Sequence, residues 1–253
     1  MNDTLITGAT SGIGLALAEE FARHGHSLIL VGRDKAKLNS VTQKLNSIFP
    51  DISILPLVQD LSALDSGEKL FQQVQQHQRT VDILVNNAGI GFVGKYEDIP
   101  MEKETSMMLT NMVTVASLCK YFIPMLKQQH GAILNVASNG AFHPGPYTAN
   151  YYATKAYVLH LSQALRLELK PDQVQVSTLC PGATVSDFCR KAGKAQIKGS
   201  MSAAHVARIA YRQFMHHKAV IIPGFQNHLS MLAPRALRSR IVGFTQKQLC
   251  EKK

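Results

Sequence analysis

The chain has 253 residues, 45% apolar and 17% charged, with no tryptophan; that suits one large α/β domain or two small ones and leaves enough apolar material for a sizeable core. Its net charge of +10 is uneven, because residues 189–253 carry 13 Lys/Arg against the lone acid Glu251 while the rest is close to neutral. Such a block speaks of partners and not of fold: an acidic protein or an anionic membrane surface would suit it, as would a merely solvated face, and nucleic acid is excluded because no binding motif accompanies the charge.

In chain order, short β-branched apolar runs alternate with longer helical patterns. Strands are expected at residues 4–7, 27–31, 52–57, 81–86, 132–137, 174–180 and 219–222, and amphipathic helices near 12–24, 35–48, 63–78, 102–128 and 151–169. Alternation of this kind predicts βαβ units. The fold class is therefore α/β: a single doubly wound domain spanning 1–253, with about seven parallel strands and helices on both faces. Residues 184–202 show little periodicity after a strand end and are expected to form a lid over a site. Residues 226–253 form a basic, partly apolar helical extension containing Pro234.

No segment approaches eighteen uninterrupted apolar residues, and no leader pattern opens the sequence, so a cytoplasmic location is expected. Cys119, Cys180, Cys189 and Cys250 are too scattered for a disulfide framework, and no histidine has ligand spacing, so no metal is expected.

The first strand runs into Thr7-Gly8-Ala9-Thr10-Ser11-Gly12-Ile13-Gly14 and then a helix. Backbone N–H groups at a helix N-terminus, backed by the helix dipole, make an anion site suited to a pyrophosphate. Glycines there allow a tight turn and a close approach of phosphate to backbone. The lysine of a triphosphate-binding loop is missing.

With Asp60-Leu61 after the third strand, Asn86-Asn87-Ala88-Gly89 ending the fourth and Pro181-Gly182-Ala183-Thr184-Val185-Ser186 ending the sixth, the sequence resembles the short-chain dehydrogenase/reductase family to about residue 188. The resemblance implies a Rossmann fold. It also implies a dinucleotide site built from Gly8, Ser11, Gly12, Ile13, Gly14, Asp60, Leu61, Asn87, Ala88, Gly89, Pro181, Gly182, Thr184 and Ser186, the last standing where Thr is usual. Val31-Gly32-Arg33-Asp34 follows the second strand, and Arg33 offers a bidentate donor set to a ribose 2′-phosphate. NADP(H) is therefore the expected cofactor. Asp34 and the absence of a basic residue at Ser11 keep NAD(H) open as the alternative.

Tyr151 and Lys155 stand four apart on a predicted helix and so share a face. A tyrosine hydroxyl titrates near 10 unperturbed, and a neighbouring ammonium lowers that value toward use as an acid–base group. Tyr152, three before Lys155, is a permitted helical neighbour as well, and spacing alone leaves the choice open. The family's Tyr-x-x-x-Lys motif selects Tyr151, with Lys155 also contacting the nicotinamide ribose, Ser138 binding the substrate oxygen and Asn111 supporting a proton relay. His143, in the loop after Ser138, is close enough to line a pocket. An enzyme acting on a carbonyl or alcohol substrate is expected, with a dinucleotide sensor or scaffold as the alternative. Family members are commonly homodimers or homotetramers.

Overall fold

The computed structural model describes residues 2–185, 200–231 and 233–251. The first half alternates without interruption: β1 (Asn2–Thr7), α1 (Gly12–Arg23), β2 (Ser27–Gly32), α2 (Lys35–Ile48), β3 (Ile54–Val58), α3 (Ser66–Gln76) and β4 (Thr80–Asn86). There follow α4 (Met101–Met108), α5 (Thr114–Gln129), β5 (Ala132–Val136), α6 (Ala149–Glu168) and β6 (Gln175–Leu179). The remainder comprises β7 (Thr184–Val185), β8 (Met201–Ser202), α7 (Ala203–Met215), β9 (Val220–Ile221), α8 (Phe225–Met231) and α9 (Arg235–Glu251). Seven strands form one parallel sheet in the order β3-β2-β1-β4-β5-β6-β9.

The strands read as unbroken apolar runs because both of their faces are covered. Side chains alternate between two layers: Leu5, Ile29, Val31, Leu84 and Ile133 pack with Leu70, Leu118, Phe122 and Val158 from α3, α5 and α6. On the other face Ile6, Leu28, Leu30, Val85 and Leu134 meet Leu17, Phe21, Leu38, Val206 and Phe214 from α1, α2 and α7. The strand order reverses between β1 and β4, and the crevice beyond that switch point is where a doubly wound sheet binds its ligands.

Several boundaries differ from expectation. β3 starts at Ile54 and not at residue 52, and it tolerates Pro56 because it is the edge strand. The last sheet strand shrinks to Val220–Ile221. The helix expected over 102–128 runs from Met101 to Gln129 but is interrupted by a π-turn at Leu109–Val113. That stretch is long and apolar enough to cross a membrane by length and composition; here Leu118, Phe122 and Leu126 spend its apolar face on the sheet. The C-terminal extension is two helices, α8 and α9, parted around Pro234. Only its ends place the expected lid at 184–202 within the described residues, where β7 pairs with β8.

At the foot of the sheet, away from the switch-point crevice, Asp3 is fully buried at the start of β1. Arg79 grips it with two arms, Nε donating to Oδ2 at 2.6 Å and Nη2 to Oδ1. A third donor, Nη1, reaches Ser53 Oγ at 3.0 Å, so one side chain ties the N-terminal ends of β1, β3 and β4.

Candidate active site

The turn after β1 is built for close approach. Gly8 and Gly12 adopt φ of +67° and +57°, the left-handed region that side chains resist. A Cβ on Gly14 would lie 2.2 Å from the Gly8 carbonyl oxygen, so glycine alone lets α1 seat against β1. Asn87 locks the arrangement: its Nδ2 donates to Thr7 O at 2.9 Å and Gly8 O at 3.3 Å. Thr7 Oγ1 in turn accepts from the N–H groups of Asn87 and Ala88, each at 3.0 Å. Ser11, the residue capping α1, gives it no side-chain hydrogen bond, and no acid stands in its first turn. The leading N–H groups of α1 thus face the crevice without a protein acceptor from a cap, which fits the pyrophosphate of a dinucleotide.

Across the crevice α6 presents Tyr151 and Lys155, both buried. Lys155 Nζ donates to the Val136 carbonyl at 2.8 Å and lies 5.9 Å from the Tyr151 ring centroid. Burial pulls the Lys155 ammonium down to about 8, because desolvation penalises the charged form. Ser138, two residues beyond β5, accepts from Gly140 N at 3.1 Å and donates to Asn139 Oδ1 at 3.4 Å. Tyr152 takes a different place. Its ring lies over Gly140 and Gly145 and beside His143, and burial pushes its hydroxyl up to about 12.

Asn111 lies behind the cavity wall, in the π-turn between α4 and α5, a distortion frequent at functional sites. Its amide is bidentate on one residue, accepting from Ile90 N and donating to Ile90 O, each at 2.9 Å. The second Nδ2 hydrogen goes to Thr154 Oγ1 at 3.1 Å, and Thr154 donates to the Tyr151 carbonyl. Gly89 separates Asn111 Oδ1 from Lys155 Nζ; a Cβ there would sit 3.3 Å from both.

On the rim, Arg33 is exposed after β2, close enough to Asp60 to help hold its carboxyl low, behind the larger effect of hydrogen bonds from Ser62. Gly32 lines the cavity, and a Cβ on it would meet the Thr10 methyl at 2.8 Å. Asp34 is occupied by capping α2, its carboxylate accepting from Lys37 N at 3.1 Å.

A single cavity of about 690 Å3 is lined by the glycine turn, Arg33, Asp60, Leu61, the 87–89 stretch, Ser138, Tyr151, Lys155, Pro181, Gly182 and Thr184. Ser186 lies outside the described residues. His143 also lines the cavity. Among the wall residues that escape sequence reasoning are Val242, Thr245 and Gln246 of α9. Gln246 is buried, and its Oε1 has no hydrogen-bond partner among the described residues.

A doubly wound sheet with a pyrophosphate turn at its switch point, facing a buried Tyr–Lys pair, defines a dinucleotide-dependent oxidoreductase. The family model for the short chain dehydrogenase matches residues 2–197. A serine 3-dehydrogenase of Rhizobium radiobacter is 30% identical over 185 residues, 73% of this chain and 72% of that one. Among solved structures, a short-chain dehydrogenase from Sphingobium yanoikuyae in complex with NADPH superposes with TM-score 0.84 at 31% identity, covering 95% of both chains. A bulky-bulky ketone specific alcohol dehydrogenase from Comamonas testosteroni gives TM-score 0.79 at 28% identity, over 95% of this chain and 94% of that one. The chain belongs to the short-chain dehydrogenase family. It is an oxidoreductase of alcohol and carbonyl substrates that uses a nicotinamide dinucleotide.

Proposed function

We propose that the chain interconverts a ketone or aldehyde and its alcohol with NADP(H), Tyr151 serving as the general acid and base. The observation that carries this is Lys155: a buried cation with a depressed pKa, next to Tyr151, on the cavity that the glycine turn opens into. When bound, the nicotinamide supplies or accepts the hydride. Tyr151 Oη gives its proton to the substrate oxygen in reduction and recovers it in oxidation. Lys155 Nζ stabilises the phenolate and offers its remaining hydrogens to the ribose. Ser138 Oγ donates to the same substrate oxygen and fixes its approach. Asn111 holds the Ile90 backbone and, through Thr154, the base of Tyr151, as a positioning residue on the path that returns the proton.

Selection of the phosphorylated cofactor rests on Arg33, whose planar fork stands on the rim while Asp34 is turned to the α2 N-terminus. The Sphingobium neighbour solved with NADPH supports the same reading. Beyond the cofactor turn the cavity is walled by Phe92, Tyr152 and Val242, with the unpartnered Gln246 carbonyl among them. Such a wall suits a substrate with apolar bulk and one hydroxyl or N–H donor remote from the reacting carbon.

The test is turnover with NADPH across a panel of ketones and aldehydes. Tyr151→Phe is expected to lose about 10²–10⁴-fold in kcat while cofactor affinity holds; near-full activity would remove Tyr151 from the mechanism. Arg33→Ala is expected to raise KM for NADPH by at least about tenfold, the loss of a charge-assisted pair, with KM for NADH unmoved. An unchanged preference would reassign the cofactor.

A further inference from the structure

Thr114 opens α5 directly after the π-turn, and its hydroxyl bonds outside its own helix. A helical threonine commonly returns its hydroxyl to a carbonyl three or four residues back. Thr114 Oγ1 instead donates at 2.8 Å to the carbonyl of Leu61, in the loop after β3. With that hydrogen committed, the 2.8 Å contact between Thr114 Oγ1 and Ser66 Oγ makes the serine the donor. Thr114, Ser66 and Leu61 are all buried, where an unmade hydrogen bond is costly. Gly67 permits the approach: a Cβ there would stand 2.2 Å from Ser117 Oγ, so α3 sits close on α5.

What Thr114 holds is a wall of the cavity, since Gln59, Asp60 and Leu61 all line it. Asp60 Oδ1 accepts from Ser62 N at 3.0 Å and from Ser62 Oγ at 2.8 Å, which shapes the turn locally. Thr114 adds the buried tie to the helical layer behind it. The strand order says which half of a dinucleotide meets this wall. Leu61 follows β3 on one side of the glycine turn at the end of β1, whereas Lys155 reaches the Val136 carbonyl of β5 on the other. A pyrophosphate at the N-terminus of α1 sends one nucleoside each way. The nicotinamide goes to the Tyr–Lys pair, which leaves the adenosine half to Leu61. Three residues before Thr114, Asn111 holds Ile90, which lines the same cavity. One short stretch of chain thus braces two walls of the site.

We infer that Thr114, backed by Ser66, is a positioning residue for the adenosine half of the cofactor. By fixing the Leu61 carbonyl it sets the backbone from which Asp60 and Leu61 face the cavity. The inference rests on the placement of the reacting end at Tyr151 proposed above.

The experiment reads the two halves of the cofactor separately on the full chain. Adenosine diphosphate, which has no 2′-phosphate for Arg33, reports the adenosine half through its affinity in calorimetry. Reduced nicotinamide mononucleotide, as hydride donor to a ketone, reports the other half through kcat/KM. Thr114→Val keeps the shape of the side chain and removes its hydroxyl. It is expected to weaken adenosine diphosphate about tenfold and to raise KM for NADPH to match. Turnover at saturating NADPH, and kcat/KM with the mononucleotide, should stay at wild-type values. Thr114→Ser, which keeps the hydroxyl, is expected to bind adenosine diphosphate as the wild type does. Should Thr114→Val fail to fold, Ser66→Ala carries the test, with an expected loss of about threefold for adenosine diphosphate and none for the mononucleotide. Unchanged affinity for adenosine diphosphate, or equal losses for both halves, would overturn the role of Thr114. A loss confined to the mononucleotide would overturn it too, by reversing the cofactor in the cavity. Weakened adenosine diphosphate in Thr114→Val, beside a wild-type chain that turns over no ketone, would count against the activity and leave the positioning role standing.

Discussion

Lys155 shows how one residue trades stability for chemistry. Its ammonium is buried and donates to the Val136 backbone carbonyl, and desolvation holds its pKa at about 8 against 10.5 for the free side chain. Below pH 8 both folded and unfolded chains keep the proton, and the burial cost is present in full. Between pH 8 and 10.5 the unfolded chain binds more protons, so stability rises with pH and recovers on the order of 3 kcal/mol. Lys155→Met removes that cost at every pH. The variant is expected to be inactive yet more stable near neutrality, by on the order of 2 kcal/mol after losing the bond to Val136. Urea titrations of both proteins from pH 7 to 10 check this: the gap should narrow above pH 8, and a constant gap would contradict the depressed pKa. Spacing also could not separate Tyr151 from Tyr152. The difference lies in what each ring rests on, and the glycines at 140 and 145 that receive Tyr152 come from a loop whose path no periodicity encodes.

At the scale of elements, the β1–turn–α1 unit was the most legible part of the sequence. Its glycines carry their reason locally, in a positive φ or a close approach. Gly14 is the sharpest case, since any Cβ meets the Gly8 carbonyl, a backbone atom that has no rotamer to yield. Gly14→Ala is expected to destabilise the fold by about 1–3 kcal/mol and to weaken dinucleotide binding more than tenfold. Thermal unfolding with and without cofactor measures both, and a wild-type melting temperature would show that α1 can shift. The π-turn around Asn111 was not legible. Five residues of wider winding inside a long apolar helix barely disturb its pattern, and the turn is visible only in what Asn111 reaches. The wall on α9 was hidden for a related reason. Its apolar residues occupy two faces, and only docking against the loop near Pro146 decides which of them looks inward.

Over the whole molecule, the two poles of the sheet divide the labour. Chemistry gathers at one, while at the other Arg79 binds buried Asp3 and Ser53 and holds three strand starts together. Arg79→Leu strands a carboxylate in the interior and is expected to cost about 3–5 kcal/mol. KM for cofactor and substrate should stay at wild-type values, since the change lies at the far end of the strands. A urea titration beside steady-state kinetics tests the separation, and a shifted KM would show that the poles are coupled. The parallel sheet and its cover of helices on both faces followed from alternation; the strand order did not. Nor did the short β7–β8 pairing, because two-residue strands whose paired residues are seventeen positions apart leave no pattern.

The α9 wall has a consequence in time. In order of synthesis the pyrophosphate turn precedes the Tyr–Lys pair. Val242, Thr245 and Gln246 emerge only after every strand of the sheet. The side of the cavity that α9 closes is therefore the last to be made, after the cofactor turn and the Tyr–Lys pair.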